Sequence, residues 1–330
     1  MRKTRRLASL SIAGLVAALI AAAIWSFEAP GPAAAKGAST TVVLPPGEGV
    51  VKVAVALARA GVVQWSGAFI VAAETTGAAP RLKAGEYAFA SHASLARVLA
   101  AIRQGLIVHH FITIPEGLTS RAAADILARA DYLTGPAVPA PEGSLLPETY
   151  ETRRGESRAA VTRRMMAAQE DLLTALWRAR AAGLAYRSPR EAVVLASVVE
   201  KETAKPVERA HIAAVFLNRL KSGMRLESDP TVIYGLTGGK PLGHGLRVSE
   251  LAASTPYNTY LADGLPPAPI GNPGRAALAA ALHPAPSDDL YFVADGAGGH
   301  VFAATFEVHR QNVAKWRTIE RLRLSAAAAP

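Results

Sequence analysis

The sequence predicts an α+β protein carried behind a membrane-spanning helix. Three observations predict it. A charge-free apolar segment near the N-terminus is long enough to cross a bilayer, strand and helix patterns alternate from Val42 to Ile114, and a helix apolar on almost every side follows Ser188, with further helices and a late β-hairpin behind it. The chain has 330 residues and 50% hydrophobic content, ample for packed cores in one large or two to three smaller domains.

Residues 1–6 form a basic tail through Arg2, Lys3, Arg5 and Arg6, ahead of Leu7 to Phe27, about 21 residues without a charge. At about 1.5 Å rise per residue this spans a hydrocarbon core of about 30 Å, and the basic flank keeps the N-terminus in the cytoplasm. A cleaved signal peptide is the rival reading, since Ala33-Ala34-Ala35 offers small residues to a peptidase. The apolar run exceeds the roughly 7 to 15 residues of a signal core, which favours a retained anchor. The expectation is therefore a single-pass membrane protein whose domains, from Glu28 on, lie outside the cytoplasm.

Residues 28–41 are rich in Pro, Gly, Ala and Ser and read as a linker. The module at 42–114 begins with the β-branched run Val42 to Leu44 and the turn Pro45-Pro46-Gly47. An amphipathic helix from Val50 to Arg59 stops at Gly61, a second helix follows, and a short strand runs through Phe89. Leu95 to Ile102 reads as a helix and Ile107 to Ile114 as a strand. His109 and His110 are adjacent on that strand, so they point to opposite faces and do not chelate one ion.

The domain at 115–320 opens with Ile114-Pro115-Glu116-Gly117 and a helix to about Arg129. A loop from Gly135 to Gly143 leads to Leu145-Leu146-Pro147-Glu148-Thr149-Tyr150, and a charged amphipathic helix spans Ser157 to about Gly183. Ser188-Pro189-Arg190-Glu191 then supplies a cap, a first-turn proline and a capping-box carboxylate. The apolar stretch Ala192 to Val199 ends at Glu200. At about 100° per residue, Val193, Ala196 and Ser197 share the face of Glu200, whereas Glu202 lies about 200° round and points elsewhere. Two readings of Glu200 follow: a carboxyl desolvated on an apolar face, its pKa raised as a general acid requires, or a helix end reaching solvent as Glu200-Lys201-Glu202.

After Pro206 a helix carries Ala210, Ala213, Leu217 and Leu220 as a stripe with Asn218 at its flank, and Gly223 stops it. Asp229-Pro230-Thr231 reads as an N-cap with a first-turn proline, so Asp229 has a structural role beside any contact with substrate. Tyr234, Tyr257, Asn258 and Tyr260 are of kinds that stack on sugar rings or bind acetamides and hydroxyls, and each reads equally as a buried group with its polar atoms satisfied. Leu290 to Ala294 and His300 to Ala304, joined by Asp295-Gly296-Ala297-Gly298-Gly299, form a hairpin whose glycines are turn residues. Residues 321–330 are an Ala-rich tail.

The strings LASVVEKETA (Leu195 to Ala204), VFLNRLKSGMRLESDPTVIYGL (Val215 to Leu236), TPYNTYLADGLPPAPIGNPG (Thr255 to Gly274) and LYFVADGAGGHVFA (Leu290 to Ala303) resemble, in order and spacing, the MltG or YceG-like endolytic murein transglycosylases. The resemblance runs from about Val42 to Trp316. It implies a LysM-like βααβ module, a YceG-like catalytic domain and Glu200, the first Glu of the EKET string, as catalytic acid. It also implies cleavage between N-acetylmuramic acid and N-acetylglucosamine in nascent peptidoglycan, leaving 1,6-anhydro ends, beside the synthases (penicillin-binding proteins) that make the strands. One carboxyl serves as acid and then base, and neither a metal nor an organic cofactor is implied.

The remaining signals narrow the chemistry. A net charge of +10 without a basic block interleaved with aromatics gives no nucleic-acid signature. With no Cys there is no disulfide, thiolate site or thiol nucleophile. His-Glu-x-x-His, Gly-x-Ser-x-Gly and Ser-x-x-Lys are all missing from the sequence, which removes the commonest zinc-peptidase, α/β-hydrolase and penicillin-binding signatures. Two other readings stay open: a glycan-binding scaffold without activity, and a lysozyme-type muramidase with a second carboxylate among Glu202, Glu208, Glu227 and Asp229.

Overall fold

The computed structural model describes residues 24–327 together with 14, 15, 17, 18, 21 and 22. The basic tail and most of the apolar segment from Leu7 lie outside the described residues, and among the described residues no helix is long and apolar enough to cross a membrane. The chain divides into two compact units, Met1–His110 with Glu151–Arg154, and Phe111–Tyr150 with Gly155–Pro330.

In the first unit, β1 (Ser39–Leu44), α1 (Val50–Arg59), α2 (Ser66–Thr75) and β2 (Gly85–Ala90) follow one another, then α3 (Leu95–Gln104). β1 and β2 pair antiparallel, with Val42 opposite Tyr87. That register turns Val42, Leu44, Tyr87 and Phe89 inward onto Val53, Leu57, Phe69 and Ile102, and the β-branched run lies in a strand as expected. Ser94 caps α3, and Gly105 ends it at a φ of 79°, a left-handed position that favours glycine. The adjacent histidines go to different partners: His109 Nδ1 lies 2.6 Å from Glu151, and His110 Nε2 lies 2.6 Å from Glu86. Burial raises the pKa of Glu86, but its hydrogen bonds to His110 and Arg154 outweigh that and hold it below the usual carboxylate range.

The second unit is mostly helical. Its helices are α4 (Ser120–Arg129), α5 (Arg158–Arg178), α6 (Pro189–Glu202), α7 (Arg209–Lys221), α8 (Asp229–Thr237), the short α9 (Val248–Leu251), α10 (Arg275–Leu282) and α11 (Phe306–Ala327). Within it β5 (Tyr291–Ala294) and β6 (His300–Ala303) pair antiparallel with Phe292 opposite Phe302, while the short paired strands β3 (His110–Thr113) and β4 (Thr149–Thr152) each have residues in both units. Asp295 closes that hairpin by accepting from the backbone N–H groups of Ala297 and Gly299 at 2.6 and 2.9 Å. The residues beyond Glu320, read as a tail, continue α11 as far as Ala327.

α6 is the central helix. Ser188 caps it, accepting from the Glu191 N–H at 3.3 Å, while the Glu191 carboxylate reaches the Arg187 N–H at 2.6 Å. Every residue from Ala192 to Val199 is buried. A helix apolar all round needs cover on all sides, and it has it. Leu195, Val198 and Val199 join Ile212, Phe216 and Leu217 of α7, whereas Val193 and Ala196 pack on Leu278 and Ala281 of α10. The buried run delivers the two carboxylates at its end to two different surroundings.

Candidate active site

The first surrounding belongs to Glu200, whose side chain is 5% exposed. Its Oε1 accepts from Arg209 Nη2 at 3.1 Å, and its Oε2 accepts from the Gly274 N–H at 2.9 Å. The same guanidinium lies 3.6 Å from Glu116, whose pKa is raised by burial first and then by the like charge of Glu200, with Arg209 pulling the other way. One turn back, Ser197 accepts from the buried Ile270 N–H at 3.0 Å. Ser197 and Glu200 share a face, as their helical spacing predicted. That face is not a bare apolar one: both residues clamp the segment 270–274, and the two oxygens of Glu200 are occupied by a cation and a backbone donor.

The segment they hold is tightly stapled. Asn272, fully buried, donates through Nδ2 to Leu118 O at 2.9 Å and accepts from the Leu145 N–H at 2.9 Å. A Cβ on Gly271 would stand 2.6 Å from the backbone oxygen of Gly117, so the two strands of backbone approach as closely as glycine permits.

The second surrounding belongs to Glu202, which opens onto a cavity of about 300 Å³. Its walls are Glu202 at the end of α6, Arg219 of α7, residues of the segment Leu226 to Asp229, Tyr260, Phe292 of β5 and His300 of β6. The Ser228 hydroxyl donates to Glu202 Oε1, and among the described residues Oε2 has no partner. Burial pushes the Glu202 carboxyl up to about 7, the Ser228 hydrogen bond opposing the rise and the nearby Asp229 charge adding to it. A carboxyl that holds its proton near neutrality and lines a cleft meets the conditions for a general acid.

The rest of the wall is ordered by hydrogen bonds. Tyr260 donates its hydroxyl to Asp229 Oδ1 at 2.7 Å. Arg219 ties β5 to the cavity floor, donating to Leu290 O at 2.7 Å, to Leu226 O at 2.9 Å and to Glu227 Oε2 at 3.1 Å. Glu227 takes a φ of 52°, a left-handed conformation uncommon outside glycine and one that concentrates at functional sites.

Of the residues singled out in the sequence, Asp229 and Tyr260 line this cavity, as do Glu202 and Glu227 of the candidate second carboxylates, whereas Glu208 does not. Asn218 does not: it donates to Ser287 O at 2.8 Å and Asp289 O at 3.1 Å, tying α7 to the approach to β5. Asn258 is also committed, donating to Leu251 O and Ala253 O and accepting from the Tyr260 N–H at 3.0 Å. Tyr234 and Tyr257 pack edge to face at 4.8 Å, with the Tyr234 hydroxyl directed at Glu142. The expected N-cap at Asp229 moves back by one: Ser228 is the cap residue, and Asp229 at the first helical position is left to receive Tyr260.

Sequence reasoning named Glu202 and Glu227 only as candidates for a second carboxylate and passed over Arg219 and His300. Among the described residues no cluster of three or more His, Asp or Glu is spaced to hold a metal ion.

Fold and site together define an α+β protein with a cleft built around a carboxyl at the end of a buried helix. The profile of the YceG-like family matches residues 42–315, and the chain belongs to that family. An endolytic murein transglycosylase of Bacillus subtilis (strain 168) is 42% identical over 131 residues, covering 39% of this chain and 35% of the relative. One of Streptococcus pneumoniae serotype 2 is 35% identical over 181 residues, covering 53% of this chain and 32% of the relative. This chain thus spans about a third of the length of these curated relatives. A crystal structure of a yceG-like protein from Listeria monocytogenes matches with a TM-score of 0.51 and 26% identity, over 83% of this chain and 98% of that one.

Proposed function

We propose that this chain is an endolytic peptidoglycan lytic transglycosylase, cleaving the bond between N-acetylmuramic acid and N-acetylglucosamine without water and leaving 1,6-anhydro ends. Membership of the family and the names of the relatives support the reaction class. The observation that carries it is Glu202: a carboxyl with its pKa raised to about 7 that lines the cavity and is held by one side-chain hydrogen bond, from Ser228. Near neutrality it holds a proton for the glycosidic oxygen. In the one-carboxyl reading, the carboxylate so formed takes the proton of the sugar's C6 hydroxyl as that oxygen closes onto C1. A cavity of about 300 Å³, at the small end for ligand sites, fits a polymer gripped at its scission point.

Two glutamates compete for the acid. The resemblance favours Glu200. The geometry favours Glu202, because both oxygens of Glu200 are engaged by Arg209 and Gly274. A hydrolytic muramidase needs a second free carboxylate, and the nearest candidates are taken: Asp229 by Tyr260, Glu227 by Arg219. Incubating the protein with uncrosslinked glycan strands and reading product termini by mass spectrometry tests the reaction: anhydro ends support the lyase, reducing ends a hydrolase, and uncut strands a scaffold.

The setting is part of the proposal. The apolar segment from Leu7 to Phe27 anchors the protein in the inner membrane with its domains in the periplasm, beside the synthases that supply new strands. A reporter fused after Pro330 is then active only in the periplasm, and the protein stays with membranes after a carbonate wash. The order β1-α1-α2-β2 supports a LysM-like module. A fold does not bring a binding site with it, so co-sedimentation of the module with purified sacculi decides between glycan binding and a spacer.

A further inference from the structure

The first unit carries an apolar face that its own core does not use, and that face lies on α2. Phe69 and Ala73 of this helix are fully buried in the core of the unit. Its other side is apolar too: Ala68 and Val71 are exposed, and within Ser66–Thr75 only Glu74 is charged. A helix apolar all round is covered on every side, by protein or by lipid. Trp65, directly before the helix, is 69% exposed and Val71 62%. With Ala68 and Leu95 they line a groove of about 490 Å³ that Ile24 and Phe27, from the end of the charge-free segment begun at Leu7, also line. Trp25, itself exposed, shares with Trp65 a second groove of about 240 Å³. The end of that segment is bound to the unit. Phe27 packs on its core, and the Ala29 N–H donates to Trp25 O at 2.7 Å. The Gly31 N–H donates to His92 O at 3.3 Å, the His92 N–H returns to Pro32 O at 3.0 Å, and the Ala34 N–H donates to the Ser91 hydroxyl at 3.1 Å. A Cβ on Gly31 would run into the backbone oxygen of Ala93, so glycine permits this approach. The start of residues 28–41 is thus fastened to the turn between β2 and α3, whereas a flexible linker of that length would let the unit wander by about 20 Å.

We propose that the outer face of α2, led by Trp65, lies in the headgroup region of a phospholipid bilayer, beside the point where the apolar segment from Leu7 leaves it. The proposal rests on the reading of that segment as a membrane anchor and extends it from a single helix to a seated unit. Continuity selects lipid as the occupant. The end of the anchor is part of the groove's own wall, so lipid reaches α2 as soon as the anchor is inserted. Tryptophan is a residue that bilayer–water interfaces favour, its ring apolar and its N–H able to bond headgroups, and an exposed apolar patch of this kind marks an interaction surface.

The test uses the full chain reconstituted in phosphatidylcholine vesicles. Flotation on a density gradient after a carbonate wash comes first: a chain that stays at the bottom refutes the anchor, and the proposal falls with it. In the chain that floats, Trp25→Phe, Trp177→Phe and Trp316→Phe leave Trp65 as the sole tryptophan. Vesicles with brominated acyl chains should remove about half of its emission relative to plain vesicles. The sequence has no Cys, so Val71→Cys and Val43→Cys each introduce one thiol, the second on the exposed side of β1. A water-soluble maleimide should label the Val71→Cys chain about tenfold more slowly than the Val43→Cys chain. A floating chain whose Trp65 emission is equal in both kinds of vesicle overturns the proposal and leaves the anchor standing. Equal labelling of the two variants overturns it as well. Slow labelling at position 71 without quenching assigns the face to protein, which also overturns it.

Discussion

Ser228, which starts helix α8, donates its hydroxyl to Glu202, which ends helix α6. Two residues 26 apart in sequence thus meet at the floor of one cleft. The bond is the only one among the described residues that reaches the Glu202 carboxyl from another side chain, and it lowers a pKa that burial raises.

Removing it moves the proton in a known direction. Ser228→Ala leaves only the Arg219 charge to oppose burial and the Asp229 charge, so Glu202 holds its proton to higher pH. The alkaline limb of the kcat profile should shift upward by up to about one unit, with a stability loss of about 1 kcal/mol. A downward shift in the pH–rate profile would contradict this electrostatic account.

The same carboxyl makes stability pH-dependent. A folded pKa of about 7 lies above the ordinary 4.5, so the folded state binds the extra proton between those values. The contribution is fully present below about 4.5 and is lost as pH rises through about 7. Water reaching one face of the group moderates the loss to on the order of 2 kcal/mol. Glu202→Gln lacks the titration, so its melting temperature should exceed that of the wild type by a margin that widens from pH 5 to 8. A constant margin across that range would remove Glu202 as the titrating group.

Some of this site was legible in the sequence and some was not, for one physical reason. The Ser188 cap and the apolar run to Val199 describe a single helix, and the periodicity of that helix put Ser197 and Glu200 on one face, where both hold the segment 270–274. What a periodicity does not give is the partner brought from elsewhere. Arg209 neutralises a face that looked apolar, and Ser228 and Tyr260 build a cleft around a carboxyl that looked like a helix end. Asn218 and Asn258 carried the right groups for a sugar and spend them on backbone carbonyls, which only the folded neighbours reveal.

Asn272 tests the structural side of the site. It is fully buried, and truncation leaves Leu118 O and the Leu145 N–H without their partner. Asn272→Ala should cost about 2 to 4 kcal/mol by chemical denaturation, loosening the segment that Glu200 holds. A loss below about 0.5 kcal/mol would mean that the segment 270–274 does not depend on this staple.

The pair Glu202→Gln and Glu200→Gln separates the two carboxylates in one experiment: anhydro-ended products counted by mass spectrometry, with each variant checked for fold. Glu202→Gln should stay folded and lose about 10² to 10⁴ in kcat, because an amide has no proton to give. Glu200→Gln should be less stable, since Arg209 loses a charged partner, while its products form within about tenfold of the wild-type rate. The opposite pattern, with Glu202→Gln active and a folded Glu200→Gln inactive, would contradict the account and return the acid to Glu200.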